Sequence, residues 1–294
     1  MKDFCQFLLK AGVKIDSSIN LKDVKILKQN VKLWRKKYSK NAKKEKIATR
    51  AKDYKLLITP EQVEMYFNSD VAKSALAVLE KLEAETYVIS RTEYCSLKDH
   101  IHVIILFGNA CRSGVPAGLL MSQYLEAVTD SDGNVKMSVA DHKTDYIFGD
   151  APIVLRKDHF DILTAFANKA IPQNTPKEPY VFLSHAGKKM TGGDVSKRLH
   201  LSWSRSKIWN EKTLPKSLTV NIVRKSISTG IRETNADAIQ SVCDTMCHSQ
   251  KTSAEHYWMR QRESNIQKGT NAIRNYFFGE SSTQVSKIFV FYLI

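Results

Sequence analysis

Residues 92–110 place the strongest constraint on what this chain can fold into. They read as one helix, and its second half, from His102 to Gly108, is apolar on most sides. A helix apolar all round offers no face to water and has to be surrounded by other elements. The fold therefore needs protein on every side of this helix, and 294 residues are enough to build such a core. The helix breaks between Asn109 and Pro116, where Arg112 is followed by Ser113, Gly114 and Val115. An arginine at such a break either points into a site or sits exposed, complementing the helix dipole.

The elements around it can be read from local patterns. Residues 21–51 form one long helix, with Val24, Leu27, Val31, Trp34 and Tyr38 as a single apolar stripe expected to face inward. Thr59, Pro60 and Gln62 make an N-cap, a first helical position and a capping box. A domain boundary is placed just before Leu56. Residues 71–84 form a further helix, with Ala75, Val78, Leu79 and Leu82 inward. Residues 135–141 alternate apolar and polar as a strand does, and residues 146–155 return from the turn at His142–Asp145 as its partner. Lys143 then sits at a hairpin tip or neck. A helix spans 158–170, a loop 172–179 and a short strand 180–183. Thr191 is an N-cap with Asp194 three residues on, before a basic helix over 195–207. Two more helices follow Thr219 and Asn235. The fold class is mainly α with a small antiparallel β-sheet, an α+β arrangement.

Charge narrows the partners. The net charge is +15 and the isoelectric point lies near 9.5. Such a balance points to a polyanion, usually nucleic acid and less often an anionic membrane. Residues 32–55 hold eleven Lys or Arg against only Glu45 and Asp53. A run of this kind reads as a solvated helix face, a nuclear-import signal, or a helix lying along a phosphate backbone. Five cysteines, an odd number in a long chain, do not form a disulfide framework and fit a reducing compartment. Cys243, Cys247 and His248 match no zinc spacing, and the two cysteines, four apart, are expected to be buried on one helix face. No metal and no cofactor is expected. The N-terminal apolar run is too short for a signal peptide, and no stretch approaches a membrane span. The apolar residues 288–294 read equally as a terminal strand, a docking tail or a gene-model artefact.

One set of residues carries chemistry. Arg112, Lys143, Arg224, His248 and Tyr257 occur in this order, with twenty-four residues from Arg224 to His248 and nine from His248 to Tyr257. An arginine can hold a phosphate through two oxygens at once. A tyrosine hydroxyl beside that phosphate can attack it and form a phosphoester. In this order and spacing the chain resembles the catalytic domain of tyrosine recombinases, the phage-integrase-like family that shares its fold with type IB topoisomerases. The stretches Phe107–Val115, Asp141–Thr144, Val223–Ser226 and Met246–Ser249, with Tyr257, resemble in particular the recombinases of eukaryotic mobile elements of the Crypton type. The resemblance covers residues 56–278.

The resemblance implies the following. Residues 1–55 would be a partial helical clamp on DNA, 56–280 the catalytic domain, and 281–294 a tail of unknown role. Arg112 and Arg224 would hold the non-bridging oxygens of the scissile phosphate, with His248 donating a further hydrogen bond. Lys143 would protonate the departing 5′ oxygen. Tyr257 would form a 3′-phosphotyrosyl link without a metal. The family usually has a histidine three residues before the second arginine, where this chain has Asn221, which can hydrogen-bond but cannot accept the tyrosine proton. The family's bundle of about four N-terminal helices is here reduced to one long helix and a short preamble. Double-stranded DNA is the implied partner. Arg35, Lys36, Lys37, Lys43, Lys44 and Arg50 on the long helix, Lys197, Arg198 and Arg205 on the later basic helix, and Lys225 are candidate DNA contacts. A C-terminal helix ending near Phe278 would dock on a neighbouring subunit and build a tetramer on DNA. A nuclear, mobile-element-derived, integrase-like site-specific recombinase, whether it integrates or excises DNA, is the leading reading. A DNA-binding protein of the same fold that has lost catalysis, whether domesticated or decayed, is the main alternative. A type IB topoisomerase would instead relax supercoils as a monomer, and a metal-dependent nuclease lacks its paired carboxylates.

Overall fold

The computed structural model describes residues 2–12, 16, 18–84, 86–170, 179–208, 218–257 and 261–278. Two compact units emerge, Met1–Asp53 and Tyr54–Ile294. The first holds a short helix α1 (Lys2–Phe7) and the long helix α2 (Leu21–Tyr54, its last residue reaching the second unit). Lys28 of α2 donates to Gln6 at 2.9 Å. The stripe expected to face inward is buried only at Val24; Trp34 is 52% exposed and Tyr38 65%. Among the described residues this unit offers only α1 and the turn after it to cover a 34-residue helix, which is too little for a stripe that long.

The second unit is organised around α5 (Arg91–Asn109), the helix whose second half is apolar on most sides. Before it come α3 (Pro60–Phe67) and α4 (Asp70–Leu82). After it come α6 (Gly114–Gly118), α7 (Met121–Leu125) and a three-stranded antiparallel sheet in the order β1 (Val128–Thr129), β2 (Val135–Val139), β3 (Ala151–Leu155). Helices α9 (Lys157–Ala165) and α10 (Gly192–Arg205) complete the shell around α5. Leu97, Ile101, Ile105 and Leu106 are fully buried there. Each such side chain contributes about 1.5–3 kcal/mol of transfer free energy. Ser90 and Glu93 cap the start of α5 reciprocally.

The sheet pairs Val135 with Leu155, Met137 with Ile153 and Val139 with Ala151, and all six side chains are buried. Asn109, the last residue of α5, accepts the Val154 amide at 2.7 Å and donates to the Ile105 carbonyl at 3.1 Å. One side chain thus fixes the end of the central helix to β3. Beyond the sheet lie α11 (Val220–Thr234), α12 (Ile239–Thr245), the short helix α13 (Gln250–Thr252) with a wide turn Ser253–Tyr257 running on from it, and α14 (Gln261–Phe278).

The structure corrects several sequence readings. The partner strand does not begin at Tyr146: residues Asp145–Phe148 make one helical turn, α8, closed by the Phe148 amide on Thr144 and ended by Gly149 at φ 68°. Of residues 146–155, only Ala151–Leu155 pairs with β2. Residues 180–183 contribute isolated bridges, Leu120 with Tyr180 and Leu183 with Lys189, rather than a strand. The helix read over 158–170 is present: α9 runs on into one wider helical turn, Phe166–Ala170. Cys243 and Cys247 are both buried, but not on one helix face. α12 ends at Thr245, and Cys247 lies beyond it in the left-handed region, φ 49°. The readings on residues 172–178 and 281–294 lie outside the described residues. No helix among those described is long and apolar enough to cross a membrane.

Candidate active site

Arg112 stands in the loop between α5 and α6, and Arg224 on the second turn of α11. Thr219 caps α11, its hydroxyl accepting the Ile222 amide at 3.3 Å, and this sets the face on which Arg224 emerges. Arg224 is 1% exposed, one of the largest fully buried side chains of the protein. A buried guanidinium has to be hydrogen-bonded. It donates to the Ala110 carbonyl and, at 3.2 Å, to the Met246 carbonyl. Arg112, half-buried, donates to the Cys247 carbonyl at 3.2 Å and to the Thr144 hydroxyl at 2.9 Å.

These bonds form an interlock. Arg224 is held by the residue two before Arg112 and by the residue two before His248. Arg112 is held by the residue just before His248. Both Ala110 and Cys247 adopt left-handed backbone, φ 48° and 49°. For a residue with a Cβ this conformation carries strain of about 1–3 kcal/mol, sustained only where the surroundings enforce it. Here the surroundings are helix ends: the Ala110 amide donates to the Leu106 carbonyl at 3.1 Å, and the Cys247 and His248 amides donate to the Asp244 and Cys243 carbonyls at 3.0 and 3.1 Å, so the two arginines take carbonyls that these caps present.

His248 lies beside them, 2% exposed. Burial, and then the charge of Arg224 with a smaller push from Arg112, lower its pKa to about 4. At neutral pH it is therefore a neutral imidazole with one N–H to donate. Lys143 is exposed in the loop between β2 and α8. His142 Nε2 lies 2.7 Å from the Gly149 carbonyl and closes that loop, while Thr144, next to Lys143, carries the bond to Arg112. Gly118 lets α6 pass close beneath: a Cβ there would lie 2.7 Å from the Asp141 carbonyl. A groove of about 550 Å³ runs along this side, lined by Gly118, Asp141, Lys143, Lys189 and Gly192 among others.

The structure therefore brings together Arg112, Arg224 and His248, with Lys143 one residue from the contact to Arg112. Asn221 is exposed in the first turn of α11, one turn before Arg224. Tyr257 ends the wide turn Ser253–Tyr257; its side chain lies outside the described residues. Among the candidate DNA contacts, Arg35, Lys36, Lys37, Lys43 and Lys44 are exposed on α2, and the side chain of Arg50 lies outside the described residues. Lys197 and Arg205 are exposed on α10 and Lys225 is half-buried on α11. Arg198 is differently placed. It forks onto the buried carboxylate of Asp99 at 2.6 and 2.5 Å, so its charge is committed to the core face of α10. Among the described residues no group of His, Cys, Asp and Glu is arranged to hold a metal. Thr144, Gly118 and the left-handed carbonyls escaped the sequence reading. The Lys143–Thr144 pair was the one visible signal, since a threonine there has a hydroxyl to offer an arginine.

No family model matches the chain, and no curated protein matches it either. Among solved structures, the XerA recombinase aligns with a TM-score of 0.48 and 12% identity, over 74% of this chain and 63% of that one. The XerH site-specific recombinase in a post-cleavage complex with its palindromic difH substrate aligns at 0.48 and 13%, over 75% and 53%. The Tn1549 transposon integrase with transposon right-end DNA aligns at 0.46 and 16%, over 74% and 66%. This chain thus spans less than two thirds of the length of the first two.

Proposed function

We propose that this chain is a DNA strand transferase of the tyrosine recombinase type. The observation that carries the reading is the interlock that holds Arg112 and Arg224 on the Met246 and Cys247 carbonyls just before His248, two cations beside a neutral imidazole in a protein of net charge +15. A phosphodiester there would have its negative charge met by two guanidinium groups, and the charge that builds in the transition state would be met by groups already in place. The Tyr257 hydroxyl would attack phosphorus, its proton passing to solvent water because Asn221 cannot take it, and the bond to the 5′ oxygen would break. Lys143 would give that oxygen its proton. The product is a 3′-phosphotyrosyl bond and a 5′ hydroxyl, and attack by another 5′ hydroxyl would reverse the step on a new strand. No external energy source enters, because each bond broken is replaced by one of similar kind. Action as a tetramer on double-stranded DNA, in the nucleus, with descent from a mobile element, completes this reading.

A second reading is favoured by Asn221. An exposed asparagine one turn before Arg224 cannot take the tyrosine proton, so a DNA-binding protein without catalysis would carry the same clamp. One assay separates the two. Nicked suicide DNA from the sequence flanking the gene is incubated with the wild-type chain and with Tyr257→Phe. A denaturation-resistant adduct formed only by the wild type supports strand transfer. Tight, salt-sensitive binding by both without any adduct supports the second reading.

A further inference from the structure

We propose that Ser253 is a positioning residue, held by Ser228 and Arg232 in a buried latch that fixes the Tyr257-bearing segment onto α11. This rests on the strand-transfer reading. Ser253 and Ser228 are both 0% exposed. Their hydroxyl oxygens lie 3.0 Å apart, and Arg232 Nη2 donates to Ser253 Oγ at 2.8 Å. Ser228 and Arg232 are four residues apart on α11 and so share a face. The Cys243 thiol of α12 meets the same hydroxyl: burial pushes its pKa up and the Ser253 hydroxyl pulls it back. Two elements, α11 and α12, therefore converge on one serine oxygen of a third.

That serine opens the wide turn that Tyr257 closes. Its place fixes the register of the turn, and a helix-like segment shifted by one residue rotates by roughly 100°. Such a shift would bring Ala254, which has no hydroxyl, opposite Ser228 and Arg232, leaving buried polar groups unpaired. α11 also carries Arg224, so the latch sets the nucleophile's segment against the helix of its own phosphate clamp. None of the latch residues needs to touch DNA, which is why they position rather than catalyse.

The full-length chain carrying Ser253→Ala, Ser228→Ala or Ser253→Thr is compared with wild type in single-turnover adduct formation on nicked DNA, in DNA affinity and in melting. The alanine variants are expected to cleave at least about tenfold more slowly with DNA affinity unchanged, and threonine, which keeps the hydroxyl, to recover most of the rate. A mixture of Tyr257→Phe and Arg112→Gln proteins is expected to form no adduct. Adding Ser253→Ala to the Arg112→Gln protein is expected to restore some, because a loosened tyrosine reaches the neighbour's intact clamp. Alanine variants that cleave at the wild-type rate overturn the latch. If Ser253→Ala fails to fold, Ser228→Ala decides, since it removes only the partner hydroxyl. If the wild type forms no adduct, the strand-transfer reading fails and the latch is judged separately by hydrogen exchange. It predicts at least about tenfold faster exchange at residues 249–257 in Ser253→Ala with α5 unchanged, and equal protection there overturns it.

Discussion

The two sides of the candidate site are built on opposite principles. On one side Arg224, His248, Ala110 and Cys247 are all buried, and every named bond ends on a backbone carbonyl. On the other side residues 143–150 are exposed apart from Thr144, and the loop hangs on the His142–Gly149 closure and the Thr144–Arg112 bond. In the proposed reaction, the charge that would meet a phosphate is set in a buried, hydrogen-bonded frame, and the lysine that would follow a departing oxygen is set on an exposed loop. Geometry-critical charge gains from preorganisation, while a proton donor on a long flexible stem needs only reach.

The largest effect should come from the buried side. Arg224→Ala leaves the Ala110 and Met246 carbonyls without this donor and empties a large volume, so it is expected to destabilise the fold by about 3–5 kcal/mol and abolish cleavage. Lys143→Ala should instead leave the melting temperature within about 1 °C while slowing cleavage by about 10²–10⁴-fold. Equal losses of stability in the two variants, measured by thermal denaturation, would erase the contrast.

Gly118→Ala tests how the halves meet. Its new Cβ would press on the Asp141 carbonyl, so α6 or the loop has to move, at about 1–3 kcal/mol. Amide shifts at residues 141–149, larger than those in α4, are the expected NMR signature. Thr144→Val removes the bond from the Thr144 hydroxyl to Arg112 and should cost about 1 kcal/mol, with a cleavage loss smaller than that of Lys143→Ala.

The pH dependence belongs to the buried side and the central helix. Burial lowers the pKa of His102 to about 3 and of His100 to about 4, and His248 lies at about 4, against 6.5 unperturbed. The unfolded chain then binds more protons between these values and 6.5. Stability is therefore complete above about pH 6.5 and falls as the pH drops towards 4. Neither ring nitrogen of His102 has a hydrogen-bond partner among the described residues, and its ring packs 4.6 Å from that of Phe182. His102→Leu is expected to raise stability at pH 7 by about 1–3 kcal/mol and to flatten the acid limb of the melting curve.

How legible each part was follows from what held it. The all-round apolar run of residues 102–108 announced a central helix, and Thr59, Thr191 and Thr219 announced helix starts, because burial and capping act through nearby residue types. The β3 boundary was misread because one turn of helix, closed by the Phe148 and Gly149 amides, replaced extended chain without changing the apolar pattern. The Cys247 carbonyl was not legible, since the left-handed helix end closed by the Cys247 and His248 amides usually carries glycine and a cysteine there does not announce it; its acceptor role shows only once Arg112, 135 residues earlier, is placed beside it. Arg198 looked like a surface cation until Asp99, ninety-nine residues earlier, was placed beneath it.

The most direct test of the site compares leaving groups. Single-turnover cleavage of a suicide substrate is measured with an ordinary 5′ oxygen and with sulfur in that bridging position, for wild type, Lys143→Ala and Arg112→Gln. A thiolate leaves without a proton, so the sulfur substrate is expected to restore Lys143→Ala towards the wild-type rate and to leave Arg112→Gln slow. Equal rescue of both variants, or no cleavage of either substrate by the wild type, would contradict a rigid arginine clamp working with a mobile lysine acid.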